Sequence, residues 1–157
     1  MPAACVCLTL ALLAQASAVA HALDAWFGTW TLNIAKSTYT PGPPPYARAQ
    51  YVIEPWKDGV KVTYDMVYPR GGTTHWEWSG TFDGQPYPLQ GIDEYVTYAY
   101  QRVDDRTYNV VVRIDDRPAG VSRVTLSPDA KTITTVTTGR DASGRAVTTT
   151  TVYQKSP

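Results

Sequence analysis

The chain has 157 residues, and its 14 Lys and Arg balance its 14 Asp and Glu to a formal net charge of zero at pH 7. No run of one sign occurs, which excludes the electrostatic footprint of a nucleic-acid binder or of a protein held on an anionic membrane surface. Both cysteines, Cys5 and Cys7, fall in the apolar N-terminus, so the remainder carries no disulfide and no cysteine-based metal site.

Residues 3–20 are almost wholly apolar or small, and small-x-small sites follow at Ala16-Ser17-Ala18, Ala18-Val19-Ala20 and Ala20-His21-Ala22. The pattern predicts a signal peptide over 1–22, a secreted or periplasmic protein, and no membrane span after cleavage. An N-terminal anchor helix is the alternative. Residues 23–157 then form one domain, of a size that buries about two thirds of its unfolded surface.

Period-two alternation gives the strands in order. Residues 28–34 set Trp30, Leu32 and Ile34 against Thr29, Thr31 and Asn33. The stretch 35–46, with Pro41-Gly42-Pro43-Pro44-Pro45, predicts a stiff flap or end cap rather than core. A strand over 47–55 ends in Trp56-Lys57-Asp58-Gly59, whose Asp-Gly favours a tight hairpin. Val60, Val62, Tyr64, Met66 and Tyr68 then alternate with polar partners. Over 73–82, Trp76, Trp78, Gly80 and Phe82 oppose His75, Glu77, Ser79 and Thr81. Pro86 and Pro88 reduce 85–90 to a short edge segment at most. In 94–103 two facings compete, Val96-Tyr98-Tyr100 against Tyr95-Ala99-Val103. Tyr108, Val110, Val112 and Ile114 alternate cleanly, and further strands cover about 120–126, 131–140 and 145–155.

No segment carries a helical period, so the chain is all-β. Short turns leave no room for long crossovers, and a meander of about 8–10 strands that curls shut removes its exposed edges. The expected architecture is a meandering antiparallel up-and-down barrel.

Two motifs carry a resemblance. Phe27-Gly28-Thr29-Trp30-Thr31-Leu32 resembles the opening strand of the calycins, which include lipocalins and fatty-acid-binding proteins. Thr151-Val152-Tyr153-Gln154-Lys155 resembles the final strand of the fatty-acid-binding proteins. In the opening Gly28-Thr29-Trp30, Leu32-Asn33 and Ala35-Lys36-Ser37, the central Phe82-Asp83-Gly84 and Tyr87-Pro88, and the turn Ser127-Pro128-Asp129 with Lys131-Thr132, the chain also resembles, over nearly its whole length after the leader, secreted bacterial proteins of lipocalin-like type, which implies no activity. The resemblance implies a calycin-like barrel around a small ligand, with Tyr153 in the binding set. Fatty-acid-binding proteins place an Arg two residues before this Tyr, and the pair clamps a carboxylate. Here that position is Thr151, so a fatty acid is not favoured over other apolar ligands. The proline run also leaves no room for those proteins' helical lid.

The aromatic load is the main functional clue: 5 Trp, 11 Tyr and 2 Phe, all after the leader. Tyr and Trp join an apolar body to a polar tip, which suits a pocket for a small apolar or aromatic molecule. Tyr64, Met66, Trp76, Trp78, Tyr98, Tyr100, Arg102, Thr151 and Tyr153 form the candidate ligand-binding set, and no cofactor, metal or catalytic residue is assigned. A barrel filled by its own side chains is the competing expectation, and Trp30 reads as a plug at a closed end. Two other readings stay open. Trp76 and Trp78 would lie flat on an exposed face in a carbohydrate-binding or envelope-interaction module. A cofactor-free isomerase or cyclase would bring Asp93, Glu94, Tyr100 and Arg102 together in one pocket. His75 and Glu77 share a face, but the pair is short of a metal site. The threonine-rich end reads as exposed strand.

Overall fold

The computed structural model describes residues 23–140 and 143–157; the leader expected over 1–22 and residues 141–142 of a turn lie outside them. Eleven strands follow in chain order: β1 (Gly28–Leu32), β2 (Thr38–Thr40), β3 (Arg48–Trp56), β4 (Gly59–Val67), β5 (Thr73–Gly80), β6 (Asp83–Gln90), β7 (Val96–Asp104), β8 (Thr107–Ile114), β9 (Arg117–Leu126), β10 (Thr132–Arg140) and β11 (Ala146–Lys155). All pairings are antiparallel. From β3 onward each strand pairs with the next, and β1 pairs with both β3 and β11, so ten strands close a ring. The closing register sets Trp30 opposite Lys155 and Leu32 opposite Tyr153. Full closure leaves no long edge to template aggregation. Among the described residues no helix is long and apolar enough to cross a membrane.

The first strand is broken, which the alternation over 28–34 did not anticipate. Asn33 caps a 3-10 turn over Ile34–Lys36, its side chain accepting from the Lys36 amide. The chain then re-enters the sheet as β2, pairing Thr38, Tyr39 and Thr40 with Thr150, Thr149 and Thr148 of β11. Ser37 ties the break to β11, for its hydroxyl accepts from the Val152 amide and donates to the Asn33 carbonyl. Thus β11 is covered by β1 along one half and by β2 along the other.

The stretch 85–90 is also a correction. Despite Pro86 and Pro88 it lies inside a full strand, with Pro86, Tyr87 and Pro88 registered against Ala99, Tyr98 and Thr97 of β7. The prolines act on the other neighbour: β5 and β6 share only Glu77–Gln90 and Trp78–Leu89. A proline withholds its N–H from the ladder. This seam is therefore the thinnest in the ring.

One end of the barrel is sealed. Trp30 is fully buried, and its indole N–H donates to the Trp26 carbonyl at 2.9 Å. Lys155 closes over it, its ammonium 5.2 Å from the Trp30 ring and bonded to the Ala25 carbonyl at 3.1 Å. Trp26 in turn donates to the Asp105 carbonyl at 3.1 Å and meets Tyr108 edge-on. Val60, Leu126 and Ile133 complete this core. The plug expected at Trp30 is present.

Candidate functional site

Because side chains alternate across a strand, every strand of the ring points one set of residues inward. Above the sealed core those sets do not meet. They enclose a cavity of about 410 Å³, within the range of small-molecule sites.

Its walls differ. On β3, β4, β5 and β7 it is built of rings. Tyr64 and Trp76 sit side by side in register and stack 3.6 Å apart at 20°. Tyr51 extends this plate toward Tyr153 (5.3 Å to Tyr64, 4.4 Å to Tyr153), and Trp76 meets Tyr98 edge-on at 5.8 Å. Trp78 lies 4.5 Å from Tyr100; it is 1% exposed, and its indole N–H has no acceptor among the described residues. On β9–β11 the lining is instead mostly short hydroxyls, Ser122, Thr135, Thr137, Thr149 and Thr151, with Val124 and Ile133 among them and Tyr153 at the margin. Register places Ser122, Thr137 and Thr149 in one row and Val124, Thr135 and Thr151 in the next. Ser122 and Thr137 share a hydrogen bond of 2.8 Å.

The cavity is electrically neutral. No Asp, Glu, Lys, Arg or His among the described residues lines it. The ionisable groups that do are phenols, and burial pushes those of Tyr51, Tyr64, Tyr98 and Tyr153 above the ordinary range, neighbouring phenols adding to the rise. Burial holds Tyr100 at about 12, with a hydrogen bond from Tyr64 acting in the opposite sense. At neutral pH all of these hydroxyls keep their protons.

The residues expected to face inward fall into two groups. Tyr64, Met66, Trp76, Trp78, Tyr98, Tyr100, Thr151 and Tyr153 all line this cavity, and the facing of β7 resolves to Val96, Tyr98 and Tyr100 inward. Arg102 does not line it. Arg102 keeps its register opposite Tyr108 but stands past the cavity at the sealed end, where it forms an ion pair with Asp105 just before the β7–β8 ladder slips. Pairing there satisfies a charge that the cavity would leave alone.

Trp76 and Trp78 face inward, so they make no exposed sugar-stacking platform. Asp93 and Glu94 are exposed in the turn before β7, while Arg102 lies at the other end of that strand; with Tyr100 inside, the four do not converge. His75 is on the outer face, its Nδ1 2.8 Å from Asp65 Oδ1 and its Nε2 3.8 Å from Glu77, which also pairs with Lys61.

Several lining residues were not singled out from the sequence. Tyr51 was available through the parity of Ala49, Tyr51 and Ile53. Ser122, Thr135, Thr137 and Thr149 were hidden because threonine suits either face of a strand. Tyr46, at the end of the proline run, lines the cavity at its open end and rests 5.5 Å from Tyr68. The flap is thus exposed along its prolines and inserted at its last aromatic.

Fold and cavity together define a hollow antiparallel barrel of calycin type. No family model matches the chain, and neither does any curated protein. Among solved structures it is similar to zebrafish ileal bile acid-binding protein complexed with cholic acid, at a TM-score of 0.51 and 11% identity, covering 84% of this chain and 99% of that one. At that identity the likeness is one of fold. It supports the barrel fold that the resemblance implies.

Proposed function

We propose that the protein is a binding barrel that holds a small apolar or aromatic molecule without chemistry. The observation that carries this reading is the 410 Å³ cavity between an aromatic wall and a hydroxyl wall. A core filled by its own side chains would have closed to interior packing density. The likeness to a protein that binds bile acids supports the same reading. The four titratable candidates for catalysis are spread between the two ends and the interior, which favours binding over turnover.

Nile red, a neutral aromatic dye, tests it. Its emission should rise and shift to the blue on addition of the protein, saturating at one dye per chain. A linear, non-saturating response would end the proposal. We also propose export to the periplasm or medium, supported by the apolar stretch over 3–20. N-terminal sequencing of the exported protein should find a start at or before Leu23. Retention of an intact leader in the cytoplasm would count against export.

A further inference from the structure

The absence of charge from the cavity and the division of its walls select among ligands. We propose that the cavity takes uncharged, flat ring systems that present hydroxyl or carbonyl groups to the β9–β11 wall, and rejects anions of the same skeleton. This rests on the binding reading above and narrows it to a ligand class.

The first ground is electrostatic. A carboxylate or sulfonate inside would have no cation opposite it among the described lining residues, and Arg102 and Lys155 at the sealed end are already engaged. Arg102 is paired with Asp105, and Lys155 is bonded to the Ala25 carbonyl over Trp30. Neutral hydroxyls can solvate an anion only in part, and an unpaired buried charge is strongly disfavoured.

The second ground is geometric. Counting round the ring, β10 lies five strands from β5, so Thr135 and Thr137 face Trp76 across the interior. A ligand between them meets aromatic rings on one side, around the mutually stacked Tyr64 and Trp76, and a row of hydroxyls on the other. Ring faces prefer other rings, in offset or edge-on contact. Each threonine or serine hydroxyl can both donate and accept, so the opposite wall takes hydroxyl and carbonyl groups alike.

Two probes sharing one skeleton isolate the charge. N-phenyl-1-naphthylamine is neutral, and 8-anilino-1-naphthalenesulfonate is the same ring system bearing a sulfonate. The neutral dye should bind saturably and the sulfonate at least about tenfold more weakly. For the hydroxyl wall, estradiol, an uncharged ring system with hydroxyls at its ends, should displace the neutral dye. In the double variant Thr135→Val, Thr149→Val the affinity for estradiol should fall about fivefold relative to that for the dye, each read by its own titration.

Equal affinity for the two dyes overturns the charge selection, and an unchanged ratio of estradiol to dye affinity in the double variant overturns the role of the hydroxyl wall. In either case the barrel remains a binding protein. If Nile red saturates but neither the neutral dye nor estradiol competes with it, the ligand class is wrong. If none of them binds, the binding reading fails as a whole.

Discussion

Raising the pH past the ordinary phenol range should unfold this barrel. Tyr51, Tyr64, Tyr98, Tyr100 and Tyr153 face the cavity with their ionisation pushed up chiefly by burial, Tyr100 to about 12. In the unfolded chain a phenol ionises at about pH 10. Below that value both states hold these protons, and the tyrosines contribute nothing to the pH dependence. Above it the unfolded chain loses protons that the folded barrel still keeps, so stability falls as pH rises. Each phenol contributes at most ~1.4 kcal/mol per pH unit, and five together approach ~7. That slope rivals the ~5–15 kcal/mol stability of a whole domain. Urea melts followed by tryptophan fluorescence should therefore give a midpoint unchanged from pH 7 to about 9.5, then falling to zero within one or two units. Phenolate absorbance should rise in step with that loss, and Tyr100→Phe should make the fall shallower. If most phenols ionise reversibly near pH 10 with near-ultraviolet dichroism intact, they are not buried as described and the argument for a neutral cavity fails.

Other perturbations follow from the same packing. Trp30→Ala empties the sealed end and removes the bond to the Trp26 carbonyl, and should lower stability in urea by roughly 3–5 kcal/mol. At Gly80 a Cβ would meet Trp78 and Tyr87 ring carbons at 2.7 Å, so Gly80→Ala should cost about 1–3 kcal/mol and alter tryptophan emission. Tyr153→Ala should destabilise by roughly 3 kcal/mol, measured by the same melts, because its ring packs 4.4 Å from Tyr51. Tyr153→Phe keeps that packing and should leave the midpoint within about 1 kcal/mol of the parent.

Much of this was legible from periodicity alone. The all-β class, the hairpins and the inward parity of Tyr64, Trp76 and Tyr153 need only a period of two, which alternation displays directly, whereas the facing of Tyr98 had two competing readings. What was not legible lies where that period breaks. Arg102 shares the parity of Tyr98 and Tyr100 in the sequence, yet it stands at the end of the strand, just before the ladder slips, where Asp105 of the turn pairs with it. Asn33 interrupts the first strand through a side-chain cap that the alternation of Trp30, Leu32 and Ile34 conceals. Pro86 and Pro88 signal a weak strand without telling which neighbour loses its ladder. The hydroxyl wall was obscured for a different reason. Thr135, Thr137, Thr149 and Thr151 alternate with further threonines and with Val136, so composition does not separate inside from outside.

The central claim is that a ligand sits within the barrel, between Trp76 and the β10 threonines. Thr135→Trp projects a large ring into that space from β10 and tests the claim most directly, with Nile red titrated into the parent and the variant side by side. A folded variant, with a urea midpoint near the parent's and saturable dye binding lost, is the predicted result. Unchanged dye affinity in the filled, folded variant would place binding on the outside of the barrel and contradict the account.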